Sequence, residues 1–310
     1  MMRSTRFLAT LLVGLIWASA VYAGTCGGTC FWIGGNGTIN GTSDDGHWSS
    51  TTGGAACASA CVPGGTDNLT FDGSSGGGTA TWAMNLTTTG TLTCSNYTGT
   101  LDNSVNNNTL SFGAFTCSGA ATKTVKFGAA TWNITGTTGT VWDTSTVANL
   151  TMTGFTTSTV HFTGNPTGAR TITIANKTTY PTFSIEGTGE VRYGVTLTHT
   201  GATLNGLAFP NSPAQIAITS AVTLTITNTV AWAGSTSGLL FISSTTAASN
   251  AIIHLSGGSP TCSWAHINDL TVNTNLLTCN NSFTTSNQNS GVTINAPVLT
   301  ISGGGGIIGG

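Results

Sequence analysis

Short apolar–polar–apolar triplets recur along most of the chain. They lie at 92–94, 110–112, 125–127, 132–134, 150–152, 160–162, 172–174, 183–185, 195–197, 216–218, 224–226, 240–242 and 252–254. A period of two marks a strand that buries one face, and no stretch holds the 3.6-residue period of a helix. Gly, Asn or Ser punctuates the triplets, so the pattern predicts many short strands joined by tight turns. Ahead of the series, 67–72 (DNLTFD) is the first clear strand and 79–84 a second. The expected class is all-β.

Two all-β architectures use many short strands. A sandwich places turn signals every 8–12 residues, but one core rarely grows past about 250–300 residues. A parallel β-helix stacks each coil on the last and carries no such ceiling. Coils of roughly 20–25 residues with two or three strands each fit the punctuation here. Cys94 and Cys117 lie about one such coil apart, so in stacked coils they would be neighbours at roughly 4.8 Å. The prediction is a right-handed parallel β-helix, a β-solenoid, with a loop-rich N-terminal cap over its open edge. The triplet spacing is uneven, so the coils are expected to be irregular.

Composition supports order. Only 5% of residues are charged, against about 25% in an average domain. Disordered chains are also polar, yet they carry high net charge or lack β-branched and aromatic residues. Here the net charge is −2, 8% of residues are aromatic, and Thr, Val and Ile abound. Such residues suit a pleated surface with threonine on its wet face.

The first 23 residues read as a secretory signal: Arg3 and Arg6, an apolar run of about 14 residues, then small residues before a cleavage position after Ala23. The run is shorter than the ~20 residues that span a bilayer, and no later stretch is longer, so no membrane span is expected in the mature chain. An uncleaved anchor or a hydrophobic oligomerisation helix is the competing reading. Cleavage leaves five basic residues against nine acidic ones, with no basic patch for nucleic acid. The organisation expected is a signal peptide at 1–23, a disulfide-stapled cap at 24–78, a solenoid body at 79–296 and a flexible Gly-rich tail at 297–310. Residues 262–272 look like the last coil.

Eight cysteines in an exported chain point to disulfides: Cys26, Cys30, Cys57, Cys61, Cys94, Cys117, Cys262 and Cys279. The two CxxxC pairs at Cys26/Cys30 and Cys57/Cys61 raise a zinc site as the rival, but export disfavours it. The four early cysteines allow three connectivities, and spacing does not choose among them.

Residues 31–72 stand apart from the threonine-rich remainder. They contain Trp32-Ile-Gly-Gly-Asn-Gly, His47-Trp48-Ser49, Val62-Pro63 and a closing D-N-L-T-F-D from Asp67 to Asp72. This series resembles the opening block of the autotransporter-associated β-strand repeat and of β-helix surface proteins of bacteria and phage virions. His47 stands where that block usually has Asn, and Ile39 where it has a second tryptophan. His266-Ile-Asn-Asp-Leu with Asn289-Ser-Gly-Val is similar to the closing coil of the same proteins, with Val292 where Trp is common. The likeness covers about a quarter of the chain. It implies a secreted or surface β-helix with a structural or adhesive role, and no particular ligand.

Candidate chemistry is sparse. Glycoside hydrolysis needs two carboxylates about 5–9.5 Å apart. Glu186 and Glu190, flanking Gly187-Thr-Gly with Arg192 beside them, are the best pair, and a solvated turn with a salt bridge is the plainer reading. Asp44, Asp45, Asp67 and Asp72 could gather oxygens for Ca²⁺, but Asp and Gly equally serve turns and strand ends, and no calcium-loop pattern is present. The five histidines are scattered singly, which disfavours a metal centre or a triad. No cofactor is expected. Tryptophans at 32, 48, 82, 132, 142, 232 and 264 would mostly pack in the core, with one or two left for sugar stacking.

The sequence therefore predicts an exported structural or adhesive surface β-helix without catalytic activity, with surface glycans or like chains as partners. A polysaccharide lyase or hydrolase on the same scaffold is the main alternative. A phage fibre or spike component is a third, against which the signal peptide weighs.

Overall fold

The computed structural model describes residues 26–40, 46–57, 61–146, 148–176, 179–186, 194–210, 214–257, 260–285 and 289–297. Among these there are 28 strands and one short 3₁₀ turn, Gly73–Ser75. The chain is all-β. No helix among the described residues is long and apolar enough to cross a membrane.

The strands form three long sheets of eleven, five and twelve strands. Nearly every pairing is parallel and joins one strand to its counterpart a coil later. In the first sheet Leu69 lies beside Leu92, Leu92 beside Phe115, and Phe115 beside Trp142. The second sheet runs from Gly37–Ile39 to Leu150–Thr153. The third runs from Leu86–Thr87 to Val292–Asn295. This stacking is consistent with a β-solenoid. Coil length varies widely, as the uneven triplet spacing predicts. The coil that sets Phe183 beside Leu207 is of intermediate length, the one from Trp232 to Cys262 is longer, and the one from Cys279 to Ile294 is much shorter. The 11-residue strand Thr223–Ala233 pairs through its first half with Ala251–Leu255 and through its last residues with Thr261–Ser263.

All thirteen predicted triplets overlap strands, and most bury the face that the alternation assigns to the core. Arg170–Ile174 buries every second residue, and so do Val195–His199's first, third and fifth positions. At 252–254 the phase differs from the expectation: Ala251, Ile253 and Leu255 point inward, while Ile252 is half-buried. Three strands precede the first one predicted. Thr29–Trp32 pairs in parallel with Asn68–Thr70 on one edge and antiparallel with Trp48–Ser49 on the other. The first sheet thus ends on a reversed strand. At the other end the structure continues past the expected last coil, adding Leu277–Asn280 and Val292–Asn295.

The core is one continuous apolar column. Trp32, Trp82, Trp132, Trp142 and Trp232 are fully buried in it and Trp48 nearly so, leaving Trp264 half-buried. Neighbouring coils are stitched at their corners. Asn36, Asn68 and Asn85 each accept, through Oδ1, the backbone N–H of a residue in the next coil: Thr79, Thr91 and Thr109, all at 2.8 Å. Asparagine suits these corners because its amide oxygen replaces a carbonyl the turn cannot supply. Where the third sheet turns into the first, coils meet too closely for a side chain. A Cβ on Gly113 would sit 2.1 Å from the Thr89 carbonyl oxygen.

All eight cysteines are paired: Cys26–Cys30, Cys57–Cys61, Cys94–Cys117 and Cys262–Cys279. The two CxxxC pairs close on themselves, which resolves the open connectivity in favour of local loops. The other two bridge adjacent coils. Cys262 and Cys279 are direct register partners, and Cys94 and Cys117 follow the paired Thr93 and Thr116.

Candidate functional site

The predicted pair Glu186 and Glu190 can be followed only at Glu186, because Glu190 and Arg192 lie outside the described residues. So do Asp44 and Asp45. Glu186 directly follows the strand Thr179–Ile185, on the outer side of the third sheet. Its Oε1 accepts a hydrogen bond from Ser184 Oγ at 2.6 Å and engages His161 Nδ1. The register explains the meeting. His161 and Ser184 are directly paired across neighbouring coils, so the Glu186 carboxylate, two residues on, folds back between them. Both partners are half-shielded, with 28% of the His161 side chain and 20% of the Glu186 side chain exposed.

A carboxylate that holds Nδ1–H fixes the imidazole tautomer and leaves Nε2 as the basic nitrogen. That is the geometry of an oriented general base. Hydrolysis of a glycosidic bond also needs a second carboxylate, and the predicted one, Glu190, lies outside the described residues. The serine does not complete a triad, since its hydroxyl donates to the glutamate rather than to the histidine. The same row continues inertly: Asn133, register partner of His161, donates to Ser111 Oγ at 3.1 Å.

Asp67 and Asp72 serve the backbone. Asp67 accepts from Gly28 N–H at 3.1 Å and from Gly64 N–H at 3.3 Å, tying two loops to one strand start. Asp72 accepts from the amides of Ser74 and Ser75 and caps the 3₁₀ turn. Asp67 is bonded by amides, and Asp72 by amides and by the Ser75 hydroxyl at 3.2 Å. His47, at the position where the resembled block has Asn, lies flat on Trp32 with ring centroids 4.7 Å apart and bonds the Gly34 carbonyl through Nδ1.

Three buried basic groups were missed at the sequence level. Lys123 occupies an inward position of Lys123–Lys126, two residues before buried Val125. Its ammonium donates to the carbonyl oxygens of Ser95, Gly119 and Ala121 at 2.6, 3.1 and 3.2 Å, using all three donors. Arg170 starts a strand whose alternate residues are core, and it donates to the Gly164 carbonyl at 2.9 Å while its Nε has no partner among the described residues. Burial pushes both groups below their usual pKa values. The signal in the sequence was the phase, a base standing two residues ahead of an inward aliphatic.

His199 is the third, at 2% exposure. Gly201 N–H donates to Nδ1 at 3.2 Å, so the proton sits on Nε2, which has no partner among the described residues. Burial pushes its pKa down from 6.5 to about 4. The unfolded chain takes up a proton below pH 6.5 while the folded chain refuses it until about pH 4. Stability conferred above pH 6.5 is therefore lost as pH falls through this window, by about 3 kcal/mol in all. Urea midpoints at pH 7 and 4.5 should differ accordingly, and His199→Asn should remove most of the difference. An unchanged pH dependence in that variant would place the acid sensitivity elsewhere.

No family model, curated protein or solved structure matches this chain.

Proposed function

We propose that this is an exported, non-catalytic structural or adhesive surface protein, built as a right-handed parallel β-helix with residues 24–78 as its N-terminal cap. The observation that carries the reading is where the ionisable groups go. Lys123 and Arg170 are spent on backbone carbonyls, and Asp67 and Asp72 on backbone amides. Asp102 pairs with Lys126 at 2.9 Å across neighbouring coils. A scaffold that commits its few charges to holding coils together is organised for rigidity. The four disulfides support export, because such bonds persist in oxidising compartments. The reversed strand Trp48–Ser49 supports the cap, since it covers the first parallel strand.

The His161–Glu186 pair favours one alternative, a polysaccharide-active enzyme. The full chain is expected to release neither reducing ends nor unsaturated products from a panel of neutral and acidic polysaccharides. Turnover that is abolished in Glu186→Gln would overturn the non-catalytic reading and make His161 the general base. Fractionation of the expressing cell tests export directly. Retention in the cytoplasm with all thiols reduced would overturn that part.

A further inference from the structure

We propose that the outer face of the first sheet binds the surface of ice. The inference rests on the reading of the chain as a non-catalytic surface protein and names what that surface holds. Thr70, Thr93, Thr116, Asp143, Thr173 and Thr198 stand in one unbroken register column across six coils. Beside it, two residues back along the strands, stand Thr91, its partner Ala114, and the paired Thr171 and Thr196, with a register shift at Thr140–Trp142 between the two pairs. All the threonines are half-buried or exposed. Their hydroxyls make no side-chain hydrogen bond among the described residues.

The other two sheets also carry threonines with unbonded hydroxyls, and they differ in what stands beside them. On the third, amides, a serine and a carboxylate stand among the threonines and bond one another: Asn205 donates to Thr182 Oγ1, Asn228 to Asn205 Oδ1, and Ser184 to Glu186. The second has a threonine column at Thr79, Thr100, Thr124 and Thr151, but the Asp102–Lys126 ion pair runs alongside it. On the first sheet the columns contain a single charge, Asp143, whose Oδ1 accepts the backbone N–H of Ser145 at 2.9 Å. The face is a nearly neutral grid of uncommitted hydroxyls and methyls.

The grid has fixed spacings. Next to Thr93 and Thr116 the coils are 4.6 Å apart, measured between the Cα atoms of Cys94 and Cys117. Along a strand, side chains on one face repeat every two residues, about 6.6 Å. These lie near the short and long oxygen repeats of a prism plane of hexagonal ice. Each hydroxyl offers one donor and two acceptor sites, so water held between columns can belong to both protein and lattice. One such contact is weak. A rigid array engages many at once, and only a periodic partner can answer all of them. A crystalline sugar would also be periodic, but sugar faces favour aromatic stacking, and in these columns the only ring is Phe31, at one end.

The test uses the full chain in thermal-hysteresis and ice-recrystallisation assays. The unmodified chain should shape ice crystals and arrest their coarsening. Thr116→Tyr, in the centre of the face, should weaken this roughly tenfold, because a protruding ring lifts several contacts together. Thr124→Tyr, likewise half-buried but on the second sheet, should change it little. Should Thr116→Tyr fail to fold, Thr173→Lys asks the same question with a charge. Absence of any effect on ice, or equal loss in Thr116→Tyr and Thr124→Tyr, would overturn the inference. Retention on microcrystalline cellulose without activity on ice would also overturn it, while leaving the adhesive reading intact. Failure of export would show in fractionation alone.

Discussion

Trp132→Ala is expected to destabilise the protein by about 3–5 kcal/mol, the cost of emptying a large aromatic site in a packed core. The indole is fully buried, and three phenylalanine rings surround it: Phe127 at 4.8 Å, Phe115 at 5.9 Å and Phe112 at 6.0 Å between centroids. Phe112 and Phe115 lie on strands of two different sheets and Phe127 directly follows the strand Lys123–Lys126, so the cavity cannot close without moving backbone on more than one side of it. No hydrogen bond is lost, because Nε1 has no partner among the described residues. Trp132→Phe should therefore cost far less, removing a buried unpaired donor along with part of the ring. Denaturant midpoints would measure both. In a stacked array the damage is also local, since each coil is stabilised mainly by its neighbours. Amide exchange should accelerate first in Leu110–Phe112, Thr131–Ile134 and Thr159–Phe162, which lie in register. A midpoint within error of the unmodified protein would mean that Trp132 is not the central prop of these coils.

How much of this was legible follows from what alternation can and cannot encode. A triplet such as Ile172, Thr173 and Ile174 announces both a strand and its phase. Two adjacent isoleucines at 252 and 253 announce the strand but leave its phase open, and the buried set proved to be the other one. Strands with a single inward residue, such as Ile39 in Gly37–Ile39 or Phe115 in Ala114–Thr116, carry almost no periodic signal. The glycine-rich opening also hid Thr29–Trp32 and the two-residue Trp48–Ser49, each too short and too interrupted by loops to show a period. The cross-coil cysteines at 94 and 117 were readable because their spacing matched one coil.

The contacts that matter for function were less readable, because they depend on coil length. His161 meets Glu186 only because Val160 falls beside Phe183 in the next coil. The preceding coil, from Trp132 to Val160, is longer. No local motif states either length. The threonine columns show the same limit. Threonine was visible everywhere, but only the register separates the column at 70, 93 and 116, whose hydroxyls stay uncommitted, from the self-bonded row through Ser111, Asn133 and Ser184.

The second large effect should come from the cross-coil disulfides. Cys94→Ala with Cys117→Ala is expected to lower stability by about 3 kcal/mol, because the bond closes a 23-residue loop and removes that freedom from the unfolded chain. Cys262 and Cys279, 17 residues apart, should contribute about as much. Cys26–Cys30 and Cys57–Cys61 span only four residues each, for which the same model gives about 2 kcal/mol. The ordering matters more than any one value. The long-loop pairs sit in the core at 2% exposure or less, and each joins one coil to the next. They act where a stacked array is most easily unzipped, at the interface between coils. Reductant added in denaturant before refolding should therefore shift the midpoint more than the Cys26→Ala/Cys30→Ala variant does. Thiol titration of the unfolded, unreduced protein should find no free cysteine. Eight reactive thiols in protein recovered from its native compartment, with a midpoint indifferent to reductant, would remove the disulfides as stabilisers and with them the main physical support for export.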